Sequence, residues 1–422
     1  MFHFKLRQLD RRIASWTIAG SWQLANWPHF HVNLDAVADT VGRYQALCYD
    51  ASKEYGLLDK RVKHETLIEW LVSEAIATSA IEGENLNRDD VRSSILNHLG
   101  MHSPPLRVGD PKAEGVAALV LDVRRKISDR LTPEILCQWQ SMVVQPRPCL
   151  QEPLIIGDFR QSTRLMQIIS GPVGYETVHY EAPPSASVPG EINAFLQWYN
   201  DTAPVAESAR EMPGLVRAAV AHAWLELIHP FDDGNSRVGR AVAEHAICQD
   251  MRSVPLFSLS TAIEANKNTY YERLASVNRS LDFTEWVTWF CDTTCQAQIE
   301  AQHQVAFALE KTRFWDTFDE TAFNERQTKA INRMFRAGPA GFEGGMTAKK
   351  YASLTGASRA TATRDLVDLA EKGALKSEGK GRSVAYVLQL TGHQPDPVER
   401  MLSPSPSLAS KPRTPVSREP KP

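Results

Sequence analysis

Apolar positions recur at helical spacing through most of this 422-residue chain. In HETLIEWLVSEAIATSAIEG (64–83), Leu67, Ile68, Leu71, Ala75 and Ile76 follow a period that predicts a helix, with Gly83 as its stop. Residues 212–228 carry Leu215, Val216, Ala219, Val220, Ala223, Trp224, Leu227 and Ile228, and are apolar on nearly every side. A helix with no polar face is a buried one. Pro230 disfavours helical geometry at His229, so this helix ends there. A helical period resumes in RVGRAVAEHAICQD (237–250). One segment departs from the pattern. GDFRQSTRLMQIISGPVGYETVHYEAPP (157–184) has short β-prone runs around Gly171-Pro172 and Gly174, bounded by Pro183-Pro184, and predicts a β-hairpin. A lone hairpin is only marginally stable in water, so it must lean on the rest of the protein, as a plain surface feature or as a docking flap.

The C-terminal region has a different character. Residues 325–390 hold 12 Lys/Arg and 6 Asp/Glu, a net +6 within a chain of net −3. NERQTKAINRMFRAG (324–338) is amphipathic. MTAKKYASLTG and SRATATRDLVDLAEKGAL follow as helix, turn, helix, with Ser358 as an N-cap. KSEGKGRSVAYVL (376–388) sets a Gly-rich tip between β-prone runs. Residues 391–422 carry eight prolines and five serines and can bury little, which predicts a disordered tail. GMHSPPLRVGDP (100–111) reads as an exposed loop. Six scattered cysteines (48, 137, 149, 248, 291, 295) with no CxxC pair fit reduced thiols. With no apolar run of about 18–20 residues and no signal-like N-terminus, the expectation is a cytoplasmic protein that does not enter a membrane.

The densest chemistry lies at HPFDDGNSRVGR (229–240). A tight loop, Asp232-Asp233-Gly234-Asn235-Ser236, joins a buried helix to the N-terminus of the next. Unpaired N–H groups there make an anion site, which Gly234 lets a phosphate approach. Arg237 and Arg240, three apart, share a helix face and add fork-shaped donors. A bare Asp233 carboxylate would repel phosphate unless a divalent cation such as Mg2+ bridged the two. His229, with an ordinary near-neutral pKa, suits general-base work. Together these parts describe phosphoryl or nucleotidyl transfer to a hydroxyl. The bland alternative is a capped helix junction with surface ion pairs. A zinc site is disfavoured: His222 and His229 are seven apart and HExxH is absent.

HPFDDGNSRVGR resembles the Fic family motif HPFx(D/E)GN(G/S)RxxR at every fixed position, and AHAWLELIHPF resembles the helix that precedes it in that family. The resemblance implies a mostly α-helical Fic-fold bundle with a β-hairpin flap. It implies a protein adenylyltransferase that moves AMP from ATP to a Ser, Thr or Tyr hydroxyl of a target protein. His229 is then the base and Asp233 the Mg2+ ligand. Gly234, Asn235 and Ser236 form the anion loop, and Arg237 and Arg240 hold the phosphates. Other family members transfer different nucleotides or remove AMP.

TSAIEGEN (78–85) poses a separate question, because Glu82 stands at the C-terminal end of its helix, where the dipole disfavours a negative charge. Read from the residues alone, it is a solvated side chain or half of a local ion pair. Thr78, Glu82 and Gly83 resemble the family's inhibitory motif (S/T)xxxE(G/N), and the resemblance implies that Glu82 pairs with Arg240 and blocks productive seating of the γ-phosphate. NTYYERLASVN (268–278) resembles the adenosine-side segment, with Tyr270, Tyr271 and Asn278 against base and ribose; aromatic core packing is the rival for at least one tyrosine. The 157–181 hairpin resembles the flap, which would cover the nucleotide around Ile169, Ser170 and Gly171 and offer an edge to the target peptide. The stretch 21–37 resembles a helical leader of one subgroup. A homodimer follows by family analogy.

The basic block resembles a winged helix-turn-helix domain. Thr361, Thr363 and Arg364 would meet DNA, and Lys380 and Arg382 would meet phosphates. The same fold also serves protein docking. The expected organisation is a 1–110 helical region with the inhibitory helix, a 111–300 catalytic domain, a 301–324 linker helix, the 325–390 winged helix and the 391–422 tail. The alternative function is a DNA-binding regulator whose Fic core senses nucleotide.

Overall fold

The computed structural model describes residues 20–146, 153–163, 165–170, 177–204, 212–318, 322–339, 341–379 and 384–390. The chain divides into two compact units, Met1–Ala308 and Leu309–Pro422. The first holds α1 (Ala38–Leu57), α2 (Lys60–Ile81), α3 (Arg88–His98), α4 (Pro111–Arg125), α5 (Pro133–Val143), β1 (Gln167–Ser170), β2 (Thr177–Glu181) and α6 (Val188–Asp201). It continues with α7 (Gly214–Ile228), α8 (Asn235–Met251), α9 (Leu259–Ala265), α10 (Lys267–Ser276) and most of α11 (Thr284–Thr317).

Short polar side chains start several of these helices. Asp59, Asn87, Asp110 and Thr132 each accept a first-turn N–H, satisfying donors the helix cannot. α7 and α8 pack side by side, and every residue of α7 is buried, as its unbroken apolar surface predicts. α2 lies against α3, α4, α8 and α9. Its Ile68, Leu71, Val72 and Ala75 share a core with Val91, Ile95, Val116 and Val120. α2 is therefore built into this core.

β1 and β2 pair antiparallel, Gln167 opposite Glu181 and Ser170 opposite Thr177, with a register shift between Ile168 and Ile169. The hairpin leans on α7, where the buried Tyr180 hydroxyl donates to the Leu227 carbonyl at 2.7 Å. Its tip, with Gly171, Pro172 and Gly174, lies outside the described residues, as does the 391–422 segment expected to be disordered. The expected 301–324 linker helix is not a separate element, since α11 runs without a break from Thr284 to Thr317. No Gly or Pro interrupts those positions to end it.

In the second unit, α12 (Glu325–Phe335), α13 (Ala348–Thr355) and α14 (Arg359–Glu371) precede an antiparallel pair, β3 (Leu375–Glu378) and β4 (Ala385–Leu388). Ser358 caps α14 by accepting from the Thr361 N–H. The Asp365 carboxylate receives both Arg326 and the Tyr351 hydroxyl, tying the three helices together. Among the described residues no helix is long and apolar enough to cross a membrane.

Candidate functional site

α7 ends at Ile228, and His229 takes a left-handed conformation (φ 49°, ψ 59°) with its N–H donated to the Leu225 carbonyl. The turn that follows is closed from inside. Asn235 Oδ1 accepts the Phe231 N–H at 2.9 Å, while its Nδ2 donates to the Phe231 carbonyl at 2.8 Å. Gln140 on α5 donates to the Asp233 carbonyl at 3.2 Å and accepts the Gly157 N–H at 2.7 Å, clamping the turn to the strand-leading segment. Gly234 sits at φ 87°, and a Cβ there would come within 2.8 Å of Val144 Cγ2. Only glycine suits both demands. No side chain caps the first turn of α8, which leaves its N–H donors and positive dipole end facing the turn.

His229 is 3% exposed. Its Nδ1 lies 3.4 Å from the Glu226 carbonyl, a bond that directs Nε2 to the accepting role. Burial, and then the nearby Arg160 charge, push its pKa down to about 3. The imidazole is therefore held neutral, in the base form. This differs from the ordinary near-neutral value expected of a histidine at a loop, because the loop itself is buried. Below it, Glu226 is pushed up to about 7 by burial and by the Glu82 charge, with Arg240 and a Ser236 hydrogen bond opposing.

Both motif arginines are engaged. Arg240 donates to Thr78 Oγ1 at 2.9 Å, to the Thr78 carbonyl at 2.8 Å and to Glu82 Oε1 at 2.9 Å. Burial works against this charge more than any single neighbour favours it, but Glu82 first, with Tyr270, Tyr271 and Glu226 behind it, together hold Arg240 above the ordinary guanidinium range. Glu82 has thus found a cation at the dipole end that disfavours it. Arg237 donates to the Val143 carbonyl at 2.8 Å and to Glu84 Oε2 at 3.0 Å, and lies 3.8 Å from Asp233. Glu84 also accepts from Lys112 at 2.7 Å.

α10 closes the same end of α2. The Tyr271 hydroxyl donates to the Ile81 carbonyl at 3.1 Å and Lys267 to the Ala80 carbonyl at 3.3 Å. Tyr270 is fully buried, its hydroxyl 3.0 Å from His222 Nε2, so core packing engages it in this conformation. Asn278 is buried and its carbonyl accepts the Ser21 N–H at 2.8 Å. Ile169 and Ser170 stand in β1 near the hairpin tip, and Gly171 lies outside the described residues.

Asp233 brings one hard carboxylate oxygen to a helix N-terminus. Among the described residues no group of three or more His, Cys, Asp and Glu could cage a metal. That donor set suits Mg2+ arriving with phosphate oxygens, which needs only one or two carboxylates.

In the second unit, Thr361 Oγ1 lies 3.0 Å from Ser358 Oγ, and Thr363 Oγ1 donates to the Arg359 carbonyl at 3.0 Å. Arg364 is exposed. Lys380 and Arg382 lie outside the described residues.

Glu84, Lys112, Gln140, Arg160 and Glu226 were not singled out from sequence. Glu226 had a signal, as an acid within an otherwise apolar helix. Glu84 and Arg160 sit outside helices and strands, Lys112 at the start of α4 and Gln140 on the buried face of α5, and nothing local marks their partners.

A mostly helical fold thus gathers a buried histidine, an uncapped helix N-terminus and two arginines at one junction. Residues 130–247 match the model of the Fic/DOC family, and residues 21–101 match that of a domain of unknown function, DUF4172. Three solved structures are similar. A Fic family protein from Desulfovibrio desulfuricans is 20% identical, covers 86% of this chain and 98% of its own, and has a TM-score of 0.49. A Fic domain containing signaling protein from Bacteroides thetaiotaomicron is 13% identical over 64% and 96%, TM-score 0.46. Fic-1 (aa134 - 508) from C. elegans is 19% identical over 65% and 74%, TM-score 0.45. The Fic/DOC family-model match spans the whole 229–240 junction. Domains of this family are typically transferases acting on proteins.

Proposed function

We propose that this protein transfers AMP from ATP to a Ser, Thr or Tyr hydroxyl of a target protein, and that the described conformation is its restrained state. His229 takes the hydroxyl proton. The α8 N-terminus, Gly234, Asn235 and Ser236 line the phosphate path, and Arg237 and Arg240 supply fork-shaped donors. Mg2+, carried in with the triphosphate and held by Asp233, would neutralise phosphate charge. The target peptide would dock along the 157–181 hairpin as an added strand. Positioning and charge stabilisation provide most of the rate in such chemistry.

The observation that carries the reading is the 2.9 Å ion pair between Glu82 and Arg240, braced by Thr78. A carboxylate occupies the donor that a phosphate would need. The test is intact-mass spectrometry after incubation with ATP and Mg2+, comparing wild type, Glu82→Gly and Glu82→Gly/His229→Ala. Gain of one AMP by the Glu82→Gly protein, lost in the double variant, supports both the chemistry and the brake. An unmodified Glu82→Gly protein that instead strips AMP from a modified peptide would favour AMP removal.

A second reading is favoured by the second unit, where α14 carries Arg359, Thr363 and Arg364 exposed on a block of net +6. Salt-dependent duplex binding, weakened by Arg364→Ala and unaccompanied by nucleotide turnover, would point to a DNA-binding regulator instead.

A further inference from the structure

α7 is a buried helix whose last carbonyls have no water to turn to, and such groups must find donors. The usual closure takes an N–H from the residue after the left-handed position. Here that residue is Pro230, which has none. The His229 N–H covers Leu225, and Arg160, from the segment leading into β1, supplies donors to the carbonyls beyond it. Its Nε donates to the His229 carbonyl at 2.7 Å, and its Nη2 reaches the Ile228 carbonyl at 3.4 Å. The same guanidinium donates to the Pro183 carbonyl and, at 2.9 Å, to Ser185 Oγ, just past β2. Its own N–H donates to the Pro230 carbonyl at 2.9 Å. Arg160 is 3% exposed, and the oxygens that accept from its side chain among the described residues are neutral. A positive charge is thus buried where one group can hold the His229 peptide and both legs of the hairpin at once.

We propose that Arg160 is a positioning residue for His229, fixing its left-handed peptide and tying the hairpin to it. The proposal rests on His229 being the base. Arg160 and Glu226 face His229, the Glu226 Oε2 at 4.0 Å from Nδ1. Asp232 faces Arg160 in turn. A plain helix cap would stabilise the fold and leave the histidine's chemistry alone. A positioning cation acts on the histidine through both geometry and field, and the two can be separated. Arg160→Gln removes the charge and the fork, while Arg160→Lys keeps the charge and loses the fork.

The test uses the full chain with 13C-labelled histidine, the His229 signal assigned by its loss in His229→Gln, so one arm needs no activity. Arg160→Gln is expected to raise the His229 titration midpoint by about 1 unit or more, and Arg160→Lys to leave it in place. In the second arm, AMP incorporation is followed in a Glu82→Gly background. Both Arg160 variants are expected to lower kcat by about 100-fold with KM for ATP changed little, as for a misplaced reacting group. An unmoved His229 midpoint in a folded Arg160→Gln protein overturns the proposal. So does a wild-type kcat in Arg160→Lys, which decides the matter if the Gln variant does not fold. If the Glu82→Gly parent transfers no AMP, the proposed function fails while the titration still judges Arg160.

Discussion

His229 occupies backbone space that non-glycine residues rarely enter, at a cost on the order of 1–3 kcal/mol that the surrounding hydrogen bonds must offset. Its neighbours are just as constrained. Gly239, inside the motif, faces two buried atoms. A Cβ there would come within 2.8 Å of His222 Nδ1 and 3.0 Å of Glu226 Oε1. Neither can retreat easily, because His222 is stacked on Tyr270 and Glu226 lies within the α7–α8 contact. Gly239→Ala should therefore destabilise the fold by about 1–3 kcal/mol through overpacking, visible as a lower melting temperature. A variant as stable as wild type would mean the α7–α8 seam is softer than it looks. The motif itself was legible in sequence, since its parts are contiguous. The requirement for glycine at 239 was not, because the atoms that impose it sit 13 and 17 positions earlier in the chain.

The turn after α2 works as an element. α2 ends where two carboxylates, two residues apart, reach the two motif arginines: Glu82 to Arg240, and Glu84 to Arg237. The first pair is nearly dry, with Arg240 1% and Glu82 15% exposed at the side chain. The second is wetter, with Glu84 19% exposed and shared with Lys112. If both compete with phosphate, Glu84→Ala alone should raise AMP incorporation less than Glu82→Gly does. The double variant should exceed either single one. Coupling of this kind typically spans about 5- to 150-fold. Rate measurements on the four proteins decide it, and a double variant no faster than Glu82→Gly would make Glu84 a bystander. Helicity of α2 could be read from its apolar period. Its pairing with α8 could not, for the partners lie 153 and 158 positions apart, and the Glu82–Arg240 pair entered as an expectation only through the family resemblance.

Across the whole molecule, buried titratable groups link stability to pH. Burial holds His222 and His229 at about 3 and His245 at about 4, against 6.5 for an unburied imidazole. The unfolded chain binds the extra protons, so stability is lost as pH falls below about 6.5. Glu226 and Glu244, pushed by burial from 4.5 to about 7 and about 8, act in the opposite sense, their contributions fading as pH rises between those values. Three imidazoles together outweigh these two carboxyls. Urea denaturation should show a net loss of stability from pH 6.5 to pH 5, on the order of 1–2 kcal/mol per histidine and partly offset by Glu226 and Glu244. A curve that is flat or rising toward pH 5 would contradict the burial. The sequence alone determined the helices, the hairpin and the contiguous run from His229 to Arg240. Periodicity, capping and backbone limits act over a few residues, and those are printed in order along the chain. The tertiary structure alone decided that His229 is dry and neutral, that Arg160 closes its helix and that Glu84 joins Glu82 on the arginines. Solvent exclusion and pairing between distant segments exist only once the chain has packed.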